Sequence, residues 1–378
     1  MTGAKFSGDQ TKTRITFDVS GPVKPTVFLL GDPTRVIIDV PDLQFKFAAT
    51  AMPAAHGLVT AWRYGLFANH KSRIVLDVAG PVKVERVHVT GAAAGQPVQV
   101  VVELAATDAA TFDAALKSQP QTNRPALRSS APEELPEVAV KANSKPVVVI
   151  DPGHGGLDPG AVVGSVHEKN LVLAVARQVR AILLATGRYD VVMTRSTDVF
   201  VSLDRRRRTS ERLKADLFIS IHADSVGEVN LAQNVRGATV YTLSEQASDE
   251  QARLLAEKEN AVDLLAGLER GGNDQDQVRN ILVDLMKRET ANFAHDFRTM
   301  LVGELRRHVP MARDPQRSAA FMVLKQTQTP SVLIELGYMS NVQDQKLLLS
   351  TDWQKQVGGA MAASIEAFFA KRPATASR

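Results

Sequence analysis

The hydrophobic pattern of this chain changes period along its length, and that change constrains the fold more than any other feature. Up to about residue 105 the apolar positions alternate: Ile15, Phe17 and Val19 are separated by Thr16 and Asp18, the period of a strand with one buried face. The segment recurs. Residues 13–24 read TRITFDVSGPVK, residues 72–83 read SRIVLDVAGPVK, and residues 34–40 repeat the core as TRVIIDV. Gly21-Pro22, Asp32-Pro33 and Gly80-Pro81 supply turns between such strands. Short antiparallel strands of this kind bury their apolar faces by packing two sheets together, so residues 11–105 are predicted to form an all-β sandwich.

From residue 106 to 145 the alternation stops, and Pro120, Pro125, Pro132 and Pro136 fall among Ala, Ser, Gln and Glu. One short helix within Ala106–Lys117 and then a flexible linker is the expected reading. Beyond it, short β-branched runs alternate with long amphipathic stretches. The strands expected are 147–151, 190–194, 217–221, 239–243 and 331–336, and the helices include a stripe from Leu171 to Leu183 closed by Gly187, residues 278–308 and residues 353–370. Residues 146–372 therefore read as an α/β domain with a mostly parallel sheet flanked by helices.

A length of 378 residues suits two or three domains. The net charge of +4 is too small to point to nucleic acid as a partner. No apolar run is long enough to span a bilayer, and residues 1–10 lack the apolar core of an export signal. Cysteine is absent, which removes disulfides, thiolate metal sites and cysteine nucleophiles together. Any metal must be held by His and carboxylate.

In open α/β sheets ligands collect past the carboxyl ends of the strands. Four residues have that address. His154 follows VVVID in the turn DPGHGG, Glu168 opens the next helix, His222 ends LFISI, and Glu335 ends SVLIE. Two histidines and a carboxylate with an open fourth position make a catalytic zinc arrangement, in which the metal acidifies water and polarises a carbonyl. His154, Glu168 and His222 are the expected ligands, and Glu335 is the expected catalytic proton carrier. His167 is a competing ligand; Glu168 is preferred because a carboxylate opening a helix also suits the helix dipole. His56, His70, His88, His295 and His308 have no such address. Arg205–Arg208 reads as the solvated face of a helix, paired with Asp204 and Glu211, and no function is placed there.

IDPGHGGLDPGA, HEKN, ADLFISIHAD and SVLIELGYMSN resemble the four signature blocks of the zinc-dependent N-acetylmuramoyl-L-alanine amidases that cleave septal peptidoglycan. The likeness runs from Lys145 to near the C-terminus, and the repeat region resembles the AMIN domain found ahead of such catalytic domains. The resemblance implies the same ligands, His154, Glu168 and His222, and the same catalytic Glu335. It implies hydrolysis of the amide between the lactyl group of N-acetylmuramic acid and L-alanine, for wall remodelling and daughter-cell separation. Within residues 246–275 it implies a helix that covers the site, with Glu259, or secondarily Glu257, as an autoinhibitory metal ligand. A LytM-type activator at the division site would release it. The chain is expected to be a periplasmic monomer whose export signal is not represented. The alternatives are a zinc exopeptidase or deacylase of the same fold, and a non-catalytic peptidoglycan-binding protein.

Overall fold

In the computed structural model the recurring segment forms paired strands. The structure describes residues 1–46, 53–68, 70–91, 98–119, 145–225, 235–268 and 281–371. The expected prolines of the linker, the glycine pair at 271–272 and the start of the helix expected from 278 lie outside these residues. The chain divides into two compact units.

The first unit contains β1 (Gly3–Gly8), β2 (Lys12–Val19), β3 (Thr26–Leu30), β4 (Arg35–Pro41), β5 (Val59–Ala68), β6 (Lys71–Val78), β7 (Val82–Thr90), β8 (Val98–Ala106) and α1 (Ala109–Ser118). They make two four-stranded antiparallel sheets, ordered β1-β2-β8-β7 and β3-β4-β6-β5. One core joins them, with Ile15, Phe17, Val100 and Val102 from one sheet and Val36, Ile38, Ile74 and Leu76 from the other. Each copy of the repeat lies on an inner strand, since β2, β4 and β6 all have a neighbour on both sides. Where two copies pair, as β4 and β6, Arg35 stands opposite Asp77 and Asp39 opposite Arg73. Buried Arg73 grips Asp39 with two nitrogens, at 2.6 and 2.8 Å. The sheet begins at Gly3, ahead of the expected residue 11, since the edge strand GAKFSG carries little apolar signal. Asp108 starts α1 by accepting a hydrogen bond from Thr111 N.

The second unit is built on a six-stranded sheet. Its elements are β9 (Val147–Pro152), the small hairpin β10 (Val162–Val163) and β11 (Val166–His167), α2 (Glu168–Ala185), β12 (Asp190–Met193), α3 (Leu203–Arg212), β13 (Leu217–His222), β14 (Ala238–Leu243), α4 (Glu250–Asn260), α5 (Ile281–Leu305), β15 (Met311–Ala319), β16 (Ser331–Glu335), α6 (Val342–Leu348) and α7 (Thr351–Ala370). The sheet order is β12-β9-β13-β16-β14-β15, parallel throughout except where β14 runs against β16. Each face carries its own core. Val148 and Ile150 of β9 pack with residues of α2, α5 and α7, whereas Val149 packs with Leu203, Phe218, Leu255 and Phe321. β15 was not expected: MARDPQRSA has no apolar period, and it lies at the sheet edge where charged residues are tolerated.

Candidate metal centre

The parallel strands bring three of the expected residues to one edge. His222 closes β13 and stands in register beside Glu335, which closes β16. The turn after β9 is tied to β13 by Gly153 N, which donates to Ile221 O at 2.9 Å. His154 then takes φ +58°, a left-handed conformation that costs a non-glycine residue about 1–2 kcal/mol. Glu168 is the first residue of α2, and His167 is its N-cap.

Two glycines leave the room these side chains fill. A Cβ at Gly153 would lie 2.4 Å from the His222 ring, and one at Gly160 would lie 2.6 Å from both Glu168 Oε2 and His154 Cδ2. With the space so vacated, His154 Nε2, His222 Nδ1 and Glu168 Oε1 converge. Their separations are 3.0 Å (His154 to Glu168), 3.1 Å (His154 to His222) and 3.3 Å (His222 to Glu168). Donors bound at about 2.0–2.2 Å around a tetrahedral ion lie about 3.3–3.6 Å apart, so these three fit a single small cation. Nitrogen and carboxylate donors suit zinc chemistry. Among the described residues these three make the one His and acid group close enough to hold a metal; His167 is outside it.

Surrounding bonds fix these donors. Glu168 accepts from Ala161 N and Ala223 N, both at 2.8 Å, so both its oxygens are oriented. Burial works against its charge, but His154 and His222 hold its pKa well below the usual carboxylate range.

A further carboxylate faces the same point. The buried residues of α4 are Ala252, Leu255, Ala256 and Glu259, one stripe at helical spacing, so an acid occupies an apolar position. Glu259 is 4% exposed, with Oε2 at 3.3 Å from His222 Nδ1 and 3.8 Å from His154 Nε2. Its Oε1 is buried without a hydrogen-bond partner. Burial, chiefly, raises its pKa, and Glu168 and Asp224 add to the rise. Glu257 points elsewhere: its side chain is 60% exposed and pairs with Arg253 on the helix surface. Lys258, between them, pairs with Asp224.

Glu335 is buried, with Oε2 accepting from Asp224 N at 2.9 Å and Oε1 unpartnered. Burial pushes its pKa well above the ordinary value, and the carboxylates of Asp224, Glu168 and Glu259 push the same way. A cation among these acids would favour their charged forms.

The arginine run is not uniformly solvated, which corrects the expectation. Arg207 and Arg208 do pair with Asp204, and Arg207 also with Glu211. Arg206 is 2% exposed, because Leu203, Arg206, Thr209 and Ser210 form the inward face of α3. It donates to Asp151 Oδ1 at 2.7 Å. Burial disfavours the Asp151 carboxylate, but Arg206, Thr194 and Ser220 outweigh it and hold its pKa below the usual range. Asp151, Asp224, Arg195 and Arg206 were not singled out from sequence. The available signal for Arg206 was its helical spacing from Leu203.

A sequence profile of N-acetylmuramoyl-L-alanine amidases matches residues 148–367. The chain belongs to this family. A profile of the AMIN domain matches residues 3–104. The chain is 29% identical over 376 residues to N-acetylmuramoyl-L-alanine amidase AmiC of Escherichia coli O6:H1, covering 97% of this chain and 88% of that one. It is 28% identical over 380 residues to the AmiC of Neisseria meningitidis serogroup B, covering 97% and 89%. Among solved structures it is similar to AmiC2 of Nostoc punctiforme, at 28% identity over 61% of this chain and all of that one, with a TM-score of 0.43. The amidase's activity is that of its family, hydrolysis of peptidoglycan in wall remodelling, which sets aside the exopeptidase, deacylase and non-catalytic readings. Among the described residues no helix is long and apolar enough to cross a membrane.

Proposed function

We propose that the amidase is zinc-dependent, that His154, Glu168 and His222 hold the ion, and that its own Glu259 keeps it inactive until a partner draws α4 aside. The observation that carries this reading is the convergence of the three donor atoms within 3.3 Å, with Glu259 Oε2 directed at the same point. Bound zinc would supply Lewis acidity and make water a nucleophile near neutral pH. The bond cut is the amide between the lactyl carbonyl of N-acetylmuramic acid and L-alanine. Glu335 has one oxygen anchored by Asp224 N and the other unpartnered, which suits it to take the proton of the attacking water and pass it to the departing amine. Glu259, where it lies, competes with substrate for the site.

Residues 11–105, with the strand from Gly3 that joins their sheet, would serve as a targeting module and 146–372 as the catalytic domain, with 106–145 between them. Tethering raises the effective concentration of a polymeric substrate. A peptidoglycan substrate fits a periplasmic enzyme, which we take to work as a monomer in daughter-cell separation. A LytM-type activator at the division site would favour the displaced arrangement of the 246–275 insertion by binding it preferentially.

The test is digestion of purified peptidoglycan by the wild type, Glu335→Ala and a variant with residues 246–275 replaced by a short Gly-Ser bridge, each with and without a zinc chelator. The expected outcome is new L-alanine amino termini with intact glycan, greatest for the deletion, lost in Glu335→Ala and lost on chelation. Activity unaffected by chelation would refute zinc dependence, and a folded deletion variant with no gain in rate would refute the brake.

A further inference from the structure

Two buried guanidinium groups enclose the turn that carries His154. Arg195 Nε donates to Pro152 O at 3.0 Å, and one of its terminal nitrogens donates to both Gly153 O and Lys169 O at 2.8 Å. Arg206 donates to Pro152 O and His154 O, both at 2.8 Å, and to Val201 O at 2.9 Å. Three consecutive carbonyls, of Pro152, Gly153 and His154, are thus held from two sides. The last of them opens a stretch of positive φ, with +58° at His154 and +125° at Gly155. The same nitrogen of Arg195 links this turn to Lys169, the neighbour of Glu168, so two ligand-bearing segments share one donor.

We infer that Arg195 and Arg206 are positioning residues for the metal centre, holding the His154 backbone in the conformation that aims its imidazole and locking the start of α2 against it. The inference rests on the metal reading above. Arginine suits the task because its planar fork offers five fixed donors, enough to meet several carbonyls at once. Lysine, a single flexible point of charge, cannot reproduce that fan, so an Arg→Lys exchange at either position should not restore function. Asp151 balances the charge of Arg206, with Ser220 Oγ donating to its other oxygen at 2.7 Å. Ser220 lies two residues before His222 on β13, so the clamp also reaches the strand of the third ligand.

The experiment compares the full chain with Arg206→Lys, Arg206→Met and Arg195→Lys. Zinc affinity is measured by competition with a chromophoric chelator, the visible spectrum is taken with Co2+ in place of Zn2+, and Tm is measured without metal. A fourth variant, Arg206→Met with Asp151→Asn, removes both buried charges so that none is left alone to unfold the chain. Folded variants are expected to bind zinc about 10–100-fold more weakly, as loss of groups supporting metal ligands does elsewhere, and to show an altered cobalt spectrum. Wild-type zinc affinity and a wild-type cobalt spectrum in variants that lose only Tm would overturn the inference and leave the arginines a role in stability alone. If the wild type itself binds no zinc, the metal reading falls, and the inference with it.

Discussion

Glu259 stands 3.3 Å from His222 across the His154, Glu168 and His222 cluster, on a helix stripe whose other members are Ala252, Leu255 and Ala256. Burial of an acid at such a position raises its pKa, and a cation bound beside it would favour the charged form. Glu259→Gln keeps the shape and removes the charge. Without any partner protein, its rate on purified peptidoglycan should exceed the wild-type rate by about tenfold or more, which corresponds to about 1.4 kcal/mol taken from the closed arrangement. Glu257→Gln, on the exposed face, should leave the rate unchanged. Dye release from labelled sacculi measures both.

Glu335→Gln should lower kcat by about 10²–10⁴, the usual contribution of a positioned proton carrier. The amide oxygen can still accept from Asp224 N, so folding should survive. Zinc content should stay at the wild-type value, because Glu335 is outside the ligand group. Loss of the metal together with activity would mean that Glu335 is a ligand instead.

Alanine at Gly153 would put a methyl group 2.4 Å from the His222 ring, which must then move. Gly153→Ala should therefore weaken zinc binding strongly, as read by chelator competition. Gly359→Ala is the matched control, inside α7 with nothing within 4 Å of the added carbon. It should raise stability by about 0.5–1 kcal/mol, the ordinary gain of alanine over glycine in a helix, with zinc affinity unaltered.

The pH dependence of stability should carry the signature of Asp151. Its pKa is lower in the folded protein than in the unfolded chain, so the folded state binds this proton more weakly. That stabilisation is fully present above the unfolded value of about 3.9 and is lost as pH falls through the lower folded value. Urea unfolding of metal-free wild type and Asp151→Asn should show a stability gap that is constant above about pH 4 and narrows in more acidic buffer. A gap that stayed constant down to the acid unfolding limit would mean that the charge of Asp151 contributes nothing.

Zinc at one hundred times its Kd should stabilise the folded chain by about 2.7 kcal/mol, read as a rise in Tm that a chelator reverses. His222→Ala should abolish the rise while the metal-free protein stays folded.

Sequence pattern reveals what local periodicity encodes and hides what depends on distant partners. His154, His222 and Glu335 were legible because each ends a β-branched run or the turn after one, and a parallel sheet delivers such ends to one edge. Glu259 was singled out only through resemblance, although its inward place on the stripe of α4 is readable from helical spacing. Arg206 was misread because its acceptors lie about fifty residues upstream and the charge run masked its inward spacing. β15 was missed because an edge strand needs no apolar period, only a neighbour's free ladder.

Antiparallel pairing of two copies of Arg-x-x-x-Asp sets each arginine against the other copy's aspartate, so the segment is self-complementary. A segment that fits its own copy also fits that copy in the next molecule, which is the raw material of strand exchange and edge-to-edge aggregation. The fold removes the opportunity by placement. β4 and β6 lie at the centre of their sheet, with β3 and β5 outside them, so neither copy offers a free edge to a stranger.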